Sequence, residues 1–166
     1  RVVDRGFVDG LIISATKRHD HRIDFLSQRR IPFIALGRSL TDAGHPWFDL
    51  DFEGMAETGV DRLVAKGHRR IGVFAPMDDT NLGFIFIDHY RIALERHGIA
   101  FDPDLIFRAH PNDRGGHQIG ERIAAMPPDK RPTGFILTNE MMTVGLYRGL
   151  YDSGLNPGKD FAVMGR

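Results

Sequence analysis

The sequence predicts an α/β fold built on parallel sheet, and two observations carry that prediction. Short apolar runs alternate with amphipathic stretches along the chain, the pattern of repeated strand–helix units. Several runs, such as Ile71-Gly72-Val73-Phe74-Ala75, are apolar at nearly every position. Strands of that kind are buried on both faces, which happens when helical crossovers cover a parallel sheet on each side.

Taken in order, Leu11-Ile12-Ile13-Ser14 reads as a buried strand, and Ile23 and Leu26, three apart, mark one face of a helix after it. Pro32 to Leu36 is a second strand closed by Gly37, and a loop with Gly44 and Pro46 leads to a weaker strand from Trp47 to Leu50. Ala56, Val60, Leu63 and Val64 share a helical face, with Glu53 and Glu57 near its positive N-terminus and Gly67 as its stop. Ile71 to Ala75 is a strand, Pro76 to Gly83 a polar loop, and Phe86, Tyr90, Ala93 and Leu94 form a second helical stripe ending at Gly98. Leu105-Ile106-Phe107 is expected as a strand. Ile119, Ile123 and Met126 mark a helix stopped by Pro127-Pro128. Gly134 to Leu137 is a strand, Met142, Leu146 and Leu150 line a helix ended by Gly154, and Phe161 to Met164 closes the series.

The bulk numbers exclude several function classes. The 166 residues suffice for one α/β domain or two small lobes. Lys plus Arg (22) balances Asp plus Glu (22), so there is no basic excess with which to neutralise a phosphate backbone. Cysteine is absent, which removes disulfides and thiolate metal sites and fits a cytoplasmic location. No apolar run approaches the roughly 20 residues of a membrane span, so no membrane partner is expected. The opening Arg1-Val2-Val3-Asp4-Arg5 is charged and unlike a secretory signal, and the final strand breaks off at its tip. Both ends therefore read as cuts through a longer chain.

In parallel sheets ligands bind beyond the carboxyl ends of the strands. That rule draws attention to Ser14 to Thr16, Gly37 to Ser39, Pro76 to Gly83, Arg108 to Pro111, Thr138 to Glu140 and Gly165-Arg166. His110 is the one histidine at such a tip. Asn139, between a strand and a helix, is either a helix N-cap or a ligand-facing amide, and the two roles are compatible. Arg38 is either a surface charge or a planar fork for a hydroxylated or anionic ligand. No P-loop glycine pattern and no G-x-G-x-x-G after a strand is present; Gly115, Gly116 and Gly120 sit in a helix instead. Ser14 and Ser39 lack a G-x-S-x-G elbow, and the Asp49/Asp51 and Asp78/Asp79 pairs read as turn and capping groups. His19-Asp20-His21 reads as solvated surface, because histidines two apart on a helix diverge. No catalytic set, metal site or cofactor is expected.

Several stretches, taken together in this order, resemble the core of the lactose/galactose-repressor (LacI/GalR) family of bacterial transcriptional regulators. They are Val8 to Ser14, Ile31-Pro32-Phe33-Ile34, Gly67-His68-Arg69-Arg70-Ile71-Gly72-Val73-Phe74, Ala93 to Ile99, Arg131 to Glu140, and Gly154 to Gly165. The resemblance implies the fold of type I periplasmic binding proteins, two α/β lobes with a ligand between them. By it, residues 1–50 form part of the N-terminal lobe and residues 51–166 most of the C-terminal lobe. It also implies a DNA-binding headpiece outside this chain and an N-terminal half that exposes apolar surface. The implied function is that of a repressor's effector-sensing domain. It would be a non-enzymatic homodimer that binds a carbohydrate and acts allosterically on operator DNA, the helix from Met141 to Leu150 lining the subunit contact. A periplasmic sugar-binding protein of a transport system is the alternative. The candidate effector-binding residues are Ser14 and His110, from their places at strand tips, together with Arg38, Phe86, Asn139 and Arg166, which the resemblance implies by position. The chain departs from the family at Gly37, where an Asp is common, at Phe86, where an Arg is common, and at Pro111, where an aromatic is common.

Overall fold

In the computed structural model of the protein, residues 8–41, 44–77 and 79–165 are described. The strands are β1 (Leu11–Ile13), β2 (Phe33–Leu36), β3 (Trp47–Phe48), β4 (Ile71–Pro76), β5 (Ile106–Ala109), β6 (Gly134–Leu137) and β7 (Ala162–Gly165). The helices are α1 (His21–Gln28), α2 (Phe52–Ala65), α3 (Asn81–Arg96), α4 (Asp113–Ala124) and α5 (Glu140–Asp152). The strands form two sheets, β1-β2-β3 and β5-β4-β6-β7, and every pairing within them is parallel. The chain divides into two units: one runs up to Asp51 and takes in Asp79–Ile85, and the other holds Phe52 onward apart from that segment.

In the first unit, register pairs Ile12 with Ile34 and Leu36 with Phe48. Because side chains alternate along a strand, these four residues share one face, and all four are exposed, Ile12 at 71%. The other face buries Ala35, and α1 buries Ile23 and Leu26. Helix α1 starts at a buried cap. Asp20, 0% exposed, accepts from the Lys17 and Arg22 backbone N–H groups at 3.0 Å and forms an ion pair with the Arg22 guanidinium. That guanidinium holds the Asp20 carboxyl far below the usual carboxylate range, against the opposing effect of burial. Asp20 is therefore not the solvated residue the sequence suggests, although His19 and His21 beside it are exposed. The cap requirement of α1 explains the difference.

The second unit is packed more deeply. All residues of β6 and Ile71–Ala75 of β4 are buried, and the Phe74, Phe107, Phe135 and Phe161 rings meet in its centre, with the Phe74–Phe107 centroids 5.8 Å apart. Tyr90, buried on α3, donates its hydroxyl to the Ile71 carbonyl at 2.7 Å. Helices α4 and α5 approach through glycines. A Cβ on Gly116 would overlap the Met142 carbonyl, and one on Gly145 would overlap the Asp113 carbonyl. Arg131 closes the C-terminus of α4 by donating to the Ile123, Ala124 and Met126 carbonyls.

Two elements are displaced from their expected places. Pro103–Leu105 forms a 3-10 turn whose cap, Asp102, accepts from the Asp104 N–H, so β5 begins at Ile106 and carries Arg108 and Ala109 within it. Helix α3 begins at Asn81, inside the stretch expected as a polar loop, because its first turn is bound into the first unit.

Candidate functional site

At the tips of the first unit, Gly37 adopts φ +114°, a conformation open to glycine and strained for other residues. Its N–H donates to the Phe48 carbonyl at 2.9 Å, and the Thr16 hydroxyl, buried behind it, donates to the Leu36 carbonyl at 3.1 Å. The chain then presents Arg38, whose backbone N–H and Nε both donate to Oδ2 of Asp49, at 3.0 and 3.1 Å. The guanidinium also stands 5.6 Å from the centre of the Trp47 ring. Arg38 is thus held in an ion pair with Asp49, the residue read from sequence as a turn group. Ser14 is exposed directly after β1, and Ser39 is a turn residue, donating to the Arg18 carbonyl and accepting from the Thr41 N–H.

In the second unit, His110 follows β5 and is exposed. With Met77, Arg108, Asn112, Arg114 and Gln118 it lines a depression of about 370 Å³. Arg108 ties two strand tips together by donating to the Pro76 carbonyl at 2.9 Å. Asn112 caps α4, its side chain accepting from the Gly115 N–H at 2.8 Å. Asn139, half-buried, caps α5 by accepting from the Met142 N–H at 3.0 Å. Its amide nitrogen donates to none of the described residues. Phe86 is set apart from the other candidates: it is 1% exposed and belongs to the core. Arg166 lies outside the described residues.

The structure therefore brings His110 together with polar neighbours in one depression, gathers Arg38 with Asp49 and Trp47, and places Asn139 at a helix start. Sequence reasoning passed over Asn112, although Asn just before a helical stretch is a readable cap signal. Asn81 falls inside the Pro76 to Gly83 tip without standing out there, because its partner Arg38 is 43 positions away and leaves no local signature. Among the described residues no group of three His, Asp or Glu side chains is placed to hold a metal ion, and no helix is long and apolar enough to cross a membrane.

Residues 60–166 match the periplasmic binding protein-like domain. The transcriptional regulator RafR of Escherichia coli, a helix-turn-helix (HTH-type) protein, is 30% identical over 96% of this chain and 46% of its own length. A regulatory protein of the LacI family from Chloroflexus aggregans superposes with a TM-score of 0.86 at 29% identity, over 99% of this chain and 58% of that one. The transcriptional regulator CelR in complex with cellobiose gives 0.84 at 26% identity, over 99% and 50%. The chain spans about half the length of the curated relatives it matches.

Proposed function

The chain belongs to the periplasmic binding protein-like domain family, and from that premise we propose that it is the effector-sensing part of a LacI-type DNA-binding transcriptional repressor. The effector is a small carbohydrate, held by residues at the carboxyl ends of the strands. The observation that carries this reading is the character of those tips: paired and capping polar groups, Arg38 with Asp49, and His110 with Asn112, in a fold whose relatives are regulators. Hydroxyls of a sugar both donate and accept, and each of these tips offers donors and acceptors together. Asn139 contributes its spare amide, and Ser14 and Arg166 remain part of the proposed contact set, whereas Phe86, enclosed by the core, does not.

Effector binding shifts a balance between two arrangements of the regulator by its differential affinity for them, typically about 1–3 kcal/mol. Operator DNA is bound by a headpiece in another part of the protein. The regulator works as a homodimer through the outer face of α5, where Met141, Val144 and Tyr151 are exposed within one helical arc. It catalyses no reaction.

Thermal unfolding with glucose, ribose and cellobiose in turn tests the reading. A sugar present at 100 times its dissociation constant adds about 2.7 kcal/mol to folding stability. For a chain of this size that raises the midpoint by roughly 5–10 °C. A saturable rise with one of the three is expected, with the sugar recovered unchanged. No rise with any of them, or chemical conversion of the sugar, would overturn the proposal.

A further inference from the structure

Asn81 is a buried polar side chain, 5% exposed, at the first position of α3. Its backbone N–H donates to the Thr16 carbonyl at 2.9 Å, and its side-chain Nδ2 donates to the Arg38 carbonyl at 3.0 Å. The segment around it is bound to the same loop. Lys17 bridges to Thr80 in antiparallel fashion, the Arg18 N–H donates to the Asp79 carbonyl at 3.2 Å, and Lys17 pairs with the Asp79 carboxylate. One short segment thus grips the loop after β1 by its backbone and the loop after β2 by a single amide.

We infer that Asn81 is a positioning residue for Arg38. Arg38 is held from two sides: Asp49 takes its backbone N–H and Nε, and Asn81 takes its carbonyl oxygen. An arginine side chain has many rotamers to lose, and recognition improves when that freedom is removed before the ligand arrives. The Asn81 amide fixes the backbone from which the side chain departs, and Gly37 on its other side is fixed by the Phe48 carbonyl. The role rests on the reading of Arg38 as a carbohydrate contact, but the geometry it asserts is independent of any ligand.

The test uses two variants in the intact protein. Asn81→Ala removes the amide. Asn81→Asp keeps its size and adds a negative charge at a helix N-terminus, which favours the helix, while setting an acceptor against the Arg38 carbonyl. The direct readout is nitrogen relaxation of the Ser39 backbone N–H, which shares a peptide plane with the Arg38 carbonyl that Asn81 holds. The order parameter is expected near the rigid value of about 0.85 in the parent and below about 0.6 in both variants. An unchanged order parameter in folded variants would overturn the inference. The second readout is a cycle with Arg38→Ala, measured by cellobiose titration of the four proteins. Asn81→Ala is expected to weaken binding about tenfold in the parent and to have no further effect once Arg38 is removed. Equal losses in both backgrounds would show a merely structural residue. A parent that binds no sugar would sink the proposed function and leave the relaxation result to decide the role of Asn81.

Discussion

Substituting Gly145 by alanine should destabilise the protein, against the sign that helix propensity alone would give. In the interior of a helix, alanine is favoured over glycine by about 0.8–1.0 kcal/mol. Gly145 lies in the middle of α5, yet a Cβ there would overlap the Asp113 carbonyl and come within 2.8 Å of the His117 nitrogen, both on α4. These are backbone atoms and have no rotamer by which to retreat, so the two helices must separate by on the order of 1 Å. A gap of that size forfeits a quarter to a half of the dispersion energy of the atoms that line it. Ile119, Leu146 and Leu150, all buried in the same core cluster, are among those affected. Overpacking of cores costs about 1–3 kcal/mol and more when nothing can yield. A gross cost of about 3–5 kcal/mol less the propensity gain leaves a net loss of about 2–4 kcal/mol. For a chain of this length the midpoint should fall by roughly 5–15 °C. Thermal unfolding followed by circular dichroism reads this directly. A Gly145→Ala protein that melts at or above the parent would show that α4 and α5 are not in backbone contact. Asn112 and Asn139 cap these two helices, so displacing one helix from the other also shifts a residue of the proposed site.

Asp20 predicts a pH dependence. Its folded pKa is depressed, so it contributes stability that is present above its unfolded value of about 3.9 and is lost as pH falls below that toward the folded value. An asparagine in its place would keep the cap and lose the charge, so Asp20→Asn should flatten the fall in stability between about pH 5 and pH 2; urea midpoints across that range with equal slopes for both proteins would contradict it. Asn139→Ala should lower stability by about 0.5–2 kcal/mol through loss of the α5 cap. Calorimetry should show a further loss of about 0.5–1.5 kcal/mol in sugar binding if the amide makes one neutral hydrogen bond, and unchanged affinity would remove it from the contact set.

Much of the fold was legible because it is written in local patterns. The apolar runs at Ile71–Ala75 and Gly134–Leu137 fall within or coincide with buried strands, and the stripes through Val60–Leu63 and Leu146–Leu150 face the core as the 3.6-residue period requires. The weak strand at Trp47 shortened to two residues, since its side chains are exposed and local pattern had little burial to report. What sequence could not show was pairing across distance. Asp49 looked like a turn residue because nothing near it names Arg38, 11 positions earlier, as its partner. Asp20 looked like surface because its flanking histidines are exposed, whereas its own carboxylate serves two backbone N–H groups within two or three residues. The tip rule singled out Ser14, Arg38, His110 and Asn139 as candidates by position. It did not distinguish Phe86, which was placed by resemblance and is enclosed by the core.

The substitution of glycine for the family's common aspartate at position 37 follows from the same local geometry and bears on what the first unit recognises. A Cβ at Gly37 would stand 3.0 Å from the Thr16 hydroxyl oxygen, and the φ of +114° excludes an unstrained side chain regardless of space. An aspartate could enter only if the backbone left this conformation, which would pull the Gly37 N–H from the Phe48 carbonyl and the Arg38 N–H from Asp49. The carboxylate at this tip is instead Asp49, reached from the next strand and already balanced by Arg38. A lone carboxylate or a lone guanidinium would call for a charged or strongly polarised partner, because a partly buried charge left unmatched is costly. A pre-paired Arg38 and Asp49 has no such need, and it sets a guanidinium beside a carboxylate. Hydroxyl groups that donate and accept at once, on a ligand with no net charge, are the partners that fit such a pair without leaving either half uncompensated. Under the proposed function, this pairing suits a neutral carbohydrate better than a sugar acid or a sugar phosphate.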